Sequence, residues 1–224
     1  MRKRYGVIYC DPPWLFRTYS AKGTGRSAIS HYDTMTFDEL KALPVSNWAA
    51  PDCVLLLWVP GPHTLMGGEL MTAWGFEFKG TGFVWVKTTK NKPGYAMGCG
   101  YSTRKNAEFC WQGTRGSPRR LCASIRELVA EPRRVHSQKP DRIRDDIRAL
   151  YPGPYLEMFA RTTAPGWDSW GDEVGLLDHG PVKTRRQPSS RVGVQGTSPP
   201  RGRALSTKTG SDSRLAGLSR RSLV

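Results

Sequence analysis

The 224-residue sequence predicts an open α/β sheet with helices on both faces. Three observations point there. Short apolar runs alternate with helical patterns between residues 1 and 179, the order expected of a layered α/β domain. One run, Cys53 to Val59, is apolar almost throughout, as in a parallel strand covered on both sides. Finally, Pro140 to Leu150 has Pro at its first position, acids early, and Ile143, Ile147 and Leu150 on one face, the pattern of an amphipathic helix.

In chain order, the apolar Val7-Ile8-Tyr9-Cys10 makes Tyr5 to Cys10 the first strand, and Phe37 to Leu43 is the first helix. The strand Cys53 to Val59 leads to a helix over Thr64 to Trp74. Strands at Gly82 to Val86 and Glu108 to Gln112 flank the Gly- and Lys-rich stretch Lys87 to Arg104, which is too long for a plain connection and reads as a binding loop; Lys87, Lys90, Lys92, Arg104 and Lys105 make it basic and suit phosphate contacts, the plain alternative being a solvated charged face. The helix Pro140 to Leu150 precedes a last strand, Tyr155 to Phe159. Residues 180–224 hold ten Lys and Arg against one acid, Asp212, with no aromatic residue and no apolar period. Such a segment cannot bury enough surface to offset its ordering entropy. The predicted organisation is a folded domain over 1–179 and a basic disordered tail over 180–224.

The formal charge of +15 calls for a polyanionic partner, either nucleic acid or an anionic membrane surface. The longest apolar run is far short of the ~20 residues of a membrane span, and the N-terminus has no hydrophobic signal segment, so a soluble, cytoplasmic protein is expected. Five cysteines at 10, 53, 99, 110 and 122 form no CxxC pair, which indicates reduced thiols and no metal site.

The sharpest motif is Asp11-Pro12-Pro13-Trp14, directly after the first strand. Its position places Asp11 at the carboxyl end of a strand, where open α/β sheets bind ligands. Two prolines fix φ and remove two N–H donors, so nearby carbonyls need no ladder partner and can face a pocket. A carboxylate and a carbonyl side by side can accept both N–H groups of an exocyclic amine. That grip draws the nitrogen lone pair out of conjugation and readies it for an electrophilic methyl group, while Trp14 offers a flat face to a base. The plain alternative is a Pro-Pro turn ending a strand. A second candidate, Lys139, precedes the helix at Pro140, where free N–H groups and a cation suit a carboxylate or phosphate; the alternative is a surface lysine. Gly23-Thr24-Gly25 and Gly113 to Gly116 fit no phosphate-binding fingerprint and read as mobile loops, the first placed to close over the site.

Cys10-Asp11-Pro12-Pro13-Trp14 resembles the signature of the MT-A family of adenine-N6 methyltransferases, which includes the messenger RNA enzyme and many bacterial and phage DNA enzymes. Further blocks match in order from about residue 5 to 175. They are His31-Tyr32-Asp33-Thr34-Met35, Leu55 to Val59, Phe83 to Lys87, Asn106-Ala107-Glu108 with Gly113 to Gly116, Ser137 to Asp141, and Glu157 to Arg161 with Gly166 to Gly171.

The resemblance implies a Rossmann-like class I methyltransferase fold in permuted order, with a mostly parallel sheet, and S-adenosyl-L-methionine as cofactor. It implies catalysis by Asp11, Pro12, Pro13 and Trp14. Cofactor binding would fall to Asp11, Lys139, Phe159, Arg161, Asp172 and Glu173, and substrate binding to Tyr32, Arg104, Lys105 and Glu108. Asp172 stands where the family commonly has Asn, and the upstream segment that touches adenine in the messenger RNA enzyme has no counterpart in the ten residues before Asp11. Solvated loop acids are the other reading of Asp172 and Glu173.

The expected activity is methylation of the adenine N6 amino group in DNA, in a bacterium or phage-infected cell. RNA is the alternative substrate, cytosine N4 a weaker alternative target, and a non-catalytic nucleic-acid-binding subunit the rival from another class. A homodimer is a candidate assembly.

Overall fold

The computed structural model describes residues 3–15, 34–134, 138–175 and 178, and the described residues fall within one unit, Met1–Lys183. Tyr32, the loop at Gly23 to Gly25 and the expected tail over 180–224 lie outside the described residues. Among the described residues there are seven strands: β1 (Tyr5–Cys10), β2 (Ala49–Val59), β3 (Glu77–Thr88), β4 (Ala107–Arg115), β5 (Leu128–Pro132), β6 (Tyr155–Met158) and β7 (Trp167–Trp170). They form one sheet in the order β5-β3-β4-β2-β1-β6-β7. β1 pairs in parallel with β2 and β6, β3 with β5, and β6 with β7, whereas β4 is antiparallel to both β2 and β3. All strands but β4 therefore share one direction. Their carboxyl ends lie along a single edge, together with the amino end of β4.

The two faces of the sheet are covered separately. Leu55, Leu57 and Val59 of β2 point into one core, which α1 (Phe37–Ala42), α2 (Val45–Trp48) and α3 (Thr64–Ala73) close with Leu40, Val45, Leu70 and Met71. Val54, Leu56 and Trp58 point into the other, closed by Ile143 and Ile147 of α4 (Arg142–Leu150). Because both faces are packed, β2 needs apolar residues at successive positions and shows no alternation. The buried indoles of Trp58, Trp74 and Trp85 each donate, to the Tyr9 hydroxyl at 2.8 Å and to the Leu40 and Glu131 carbonyls at 2.9 and 3.0 Å, so none leaves its N–H unpaired.

β1 has the bounds that its sequence predicts, while β2, β3 and β4 run longer. β5, β7 and α2 were not expected. β5 and β7 are edge strands, each bonded on one side only, and β5 buries Val129 between exposed neighbours, too little for an apolar pattern. α4 starts at Arg142 and not at Pro140, because Pro140 and Asp141 form the preceding turn, their carbonyls accepting from Ile143 and Arg144 N–H at 3.2 and 3.0 Å. Among the described residues no helix is long and apolar enough to cross a membrane.

Candidate active site

Asp11 leaves the sheet between β2 and β6, at the edge shared by the parallel strand ends. The two prolines then turn the chain away, but their carbonyls are not idle as expected: Trp14 N–H donates to Pro12 O and Met35 N–H to Pro13 O, both at 2.9 Å. Each carbonyl keeps a second lone pair, so Pro12 O can still accept from a substrate amine. Trp14 departs further from expectation. It is only 2% exposed and packs in the core, its indole N–H donating to Trp58 O at 3.0 Å and its ring 5.2 Å from that of His63. In this arrangement it anchors the Asp-Pro-Pro turn and has no open face for a base.

The strand order assembles the charged centre. β4 runs against its neighbours, so its first residues meet the last residues of β3, with Trp85 opposite Glu108 and Lys87 N–H on Asn106 O at 2.8 Å. Glu108 consequently pairs with Lys87, which the sequence had suggested as a phosphate contact. The Lys139 ammonium lies 2.6 Å from Asp11 Oδ2, 3.3 Å from Glu108 Oε2 and 5.1 Å from the centre of the Trp58 ring. Its side chain is 12% exposed, which removes the surface-lysine reading. Negative and positive groups alternate as Asp11, Lys139, Glu108 and Lys87. A lone cation at a helix end is therefore not what the structure shows.

Electrostatics follow from that order. Burial pulls the Lys139 ammonium down, but Asp11 and Glu108 outweigh it and hold Lys139 above its ordinary value, hence charged. Burial pushes Glu108 up, and Lys139 and Lys87 together bring it below the usual carboxylate range. For Asp11 burial prevails: its carboxyl is raised although Lys139 opposes the rise. Asp11 is thus an ionisable carboxylate poorly served by solvent, with one oxygen on Lys139 and the other left for a ligand.

A cleft beside this centre is lined by Asp11, Gln138, Lys139, Phe159, Arg161 and Thr162, among others. Arg161 Nε lies 2.7 Å from Glu173 Oε2, so two expected residues meet, whereas Asp172 is exposed. On the wall of the same cleft, the Arg144 guanidinium donates to both Glu157 oxygens at 2.6 and 2.9 Å and to Thr162 Oγ1 at 2.8 Å. Arg144 and Thr162 were not singled out from the sequence, since α4 and β6 meet only through the folded sheet. Arg104 and Lys105 stay exposed on the excursion between β3 and β4, whereas Glu108 belongs to the charged centre.

Phe159 directly follows β6 with φ of 59°, a left-handed conformation that bulky residues rarely adopt. Its N–H donates to Trp170 O at 2.6 Å and its ring meets Trp170 edge-on, centroids 5.2 Å apart. Gly171 permits this, with φ of 143° and a hypothetical Cβ only 2.9 Å from Phe159 Cα. Gly171→Ala is expected to cost more than about 1 kcal/mol, because its φ is unsuited to Ala and the colliding atom is backbone. A urea midpoint equal to wild type would show that the turn yields without strain.

A doubly covered, mostly parallel sheet with this charged centre at its carboxyl edge is an α/β, Rossmann-like methyltransferase fold. The MT-A70 family model matches residues 5–173, and the chain belongs to that family. Type II methyltransferase M.MunI of Mycoplasma sp is 34% identical over 191 residues, 77% of this chain and 79% of that protein. N(6)-adenosine-methyltransferase MT-A70-like of Arabidopsis thaliana is 30% identical over 213 residues, 91% of this chain and 29% of its own length. Human N(6)-adenine-specific methyltransferase METTL4 is 30% identical over 195 residues, 80% of this chain and 39% of its own length. The chain thus spans most of the Mycoplasma protein and well under half of the other two.

Proposed function

We propose that this protein transfers a methyl group from S-adenosylmethionine to the N6 amino group of adenine in DNA. The observation that carries the proposal is the placement of Asp11 at the end of β1, ion-paired to Lys139 on the wall of the same cleft that holds Arg161. The donor set fits the cofactor. Lys139 and Asp11 offer a cation and an anion to an amino acid end, Arg161 and Glu173 offer a donor and an acceptor to ribose hydroxyls, and Phe159 offers an aromatic edge. When bound, S-adenosylmethionine supplies an electrophilic methyl group. Asp11, through the oxygen not held by Lys139, and Pro12 O accept the amine N–H groups and aim the nitrogen lone pair. The Asp11 charge stabilises the positive charge that nitrogen acquires, and the surplus proton leaves to water. In a duplex the adenine is first flipped out, at a cost of a few kcal/mol.

DNA is favoured over RNA because the chain spans most of the relative named as a Type II methyltransferase, whereas those named as adenosine methyltransferases extend far beyond the matched region. Incubation with labelled S-adenosylmethionine and DNA or RNA, followed by nucleoside mass spectrometry, tests this directly. Label in N6-methyl-2′-deoxyadenosine is the expected result. Label only in the ribonucleoside moves the substrate to RNA, label in N4-methylcytidine changes the base, and no label leaves a non-catalytic binding subunit.

The segment 180–224, with ten basic residues and one acid, would add affinity through phosphates without reading sequence. Deleting it is expected to flatten the salt dependence of DNA binding and leave the methylated sequence unchanged. A changed target sequence would give the segment a role in recognition.

A further inference from the structure

The Arg144 guanidinium uses every one of its nitrogens on the cleft wall. Nε and Nη2 take the two Glu157 oxygens at 2.6 and 2.9 Å, Nη2 also reaches Thr162 Oγ1 at 2.8 Å, and Nη1 donates to Asp141 Oδ1 at 3.0 Å. These partners stand on both shoulders of the cleft. Glu157 and Thr162 bracket Phe159 and Arg161 in the chain, and Asp141 follows closely on Lys139. Asp141 is held in turn by Arg134, just after β5. The bracketed stretch contains Phe159 at φ of 59°, a conformation that persists only where the surroundings impose it.

Packing alone does not call for this arrangement. Ile143 and Ile147 already seat α4 on the sheet, and a buried ion pair is often no more stabilising than apolar residues of the same shape. What the pair adds is geometry, because a planar guanidinium fixes several partners in set directions at once and an ammonium on a flexible stem does not. We infer that Arg144 is a positioning residue for the cofactor cleft, holding the turn that carries Lys139 and the turn that carries Phe159 and Arg161 at a fixed separation, so that both cations meet one ligand. This rests on the reading of the cleft as the S-adenosylmethionine site. Arg144 acts through its neighbours and is assigned no contact with the methyl group or the amine.

A set of variants separates positioning from a plain contribution to stability. Arg144→Met strands the Glu157 charge in a mostly buried place and is expected to destabilise the fold, whereas Arg144→Met/Glu157→Gln removes the stranded charge and recovers much of the urea midpoint. Cofactor binding is not expected to recover with it. In the double variant calorimetry should show S-adenosylmethionine bound about tenfold more weakly than by wild type, and the KM for cofactor should rise more than kcat falls. Glu157→Gln alone leaves Arg144 on Asp141, Thr162 and the remaining oxygen, and its affinity should stay within about threefold of wild type. Affinity that returns with the midpoint in the double variant would reduce Arg144 to a structural ion pair, and a full loss in Glu157→Gln would transfer the role to Glu157. Hydrogen exchange without cofactor reads the clamp by itself. Amides of residues 141–144 and 159–163 should exchange about tenfold faster in the double variant, with those of β2 at the wild-type rate. Unchanged exchange in both stretches would overturn the inference. Faster exchange there, in a protein whose wild type binds no S-adenosylmethionine, would uphold the clamp on the cleft and count against the proposed activity alone.

Discussion

Asp11→Asn is expected to lower methyl-transfer turnover by on the order of 100-fold or more, the scale of losing one preorganised electrostatic group. The reason lies in how the two carboxylate oxygens are engaged. One accepts from Lys139 at 2.6 Å, and the other is assigned to the substrate amine, so both partners are donors. Asn has one acceptor and one donor end. Whichever way its amide turns, one contact becomes donor against donor, and the charge that favours a positive nitrogen is gone. Lys139 keeps Glu108 as partner, so the centre retains part of its pairing. Cofactor affinity is expected to change less than turnover, because other cleft residues remain.

The same carboxyl shapes the pH profile. Burial raises Asp11, so wild-type activity is expected to fall on the acid side at a pH above the ordinary Asp range, as the acceptor takes up a proton. In Asp11→Asn the residual activity would lack that limb. Single-turnover rates across pH, with calorimetric cofactor binding on the same folded variant, check both statements. A near wild-type rate would reduce Asp11 to a strand-end carboxylate and remove the catalytic role from the tetrapeptide.

What the sequence could disclose depended on how local the cause was. β1 was legible to the residue because neighbours on both sides demand an unbroken apolar run, and Asp11 followed as the first polar group beyond it. The meeting of Glu108 with Lys139 was not, since it depends on β4 running against its neighbours, and its apolar pattern is the same in either direction. Lys87 illustrates the same point: beside a Lys-rich loop it looked like a phosphate contact, and the β3–β4 register gave it to Glu108. Trp14 failed differently. An aromatic next to a candidate carboxylate reads equally as a stacking face or a buried anchor, and only the Trp58 carbonyl and the His63 ring, supplied by β2 and the turn after it, decide for the anchor.

Lys139→Ala is expected to cost both stability and cofactor affinity. Removing one partner of a buried ion pair costs ~3–5 kcal/mol, and the low end applies here because Asp11 and Glu108 remain partly exposed and Glu108 keeps Lys87. Without Lys139, Glu108 loses the larger of the two charges that hold it below the usual range, and Asp11 loses the main opposition to its rise. A carboxyl depressed in the folded state contributes stability above its unfolded pKa and loses it as pH falls through the folded value. The deficit of the variant is therefore expected to be larger near pH 7 than near pH 4, where protonation of the carboxyls begins to remove what Lys139 supported. Lys139 itself is raised, so its contribution is complete below its ordinary pKa and adds no slope between those two conditions. Lys139→Met keeps a stem against the Trp58 ring and separates the charge from the packing. Urea midpoints at both pH values read the network, and calorimetry with S-adenosylmethionine reads the site, with a loss of about tenfold or more expected for either variant from one missing charged contact. An equal deficit at the two pH values would mean that Lys139 does not stabilise the carboxylates, and equal cofactor affinity in folded Lys139→Met would end its assignment to the amino acid end of the cofactor.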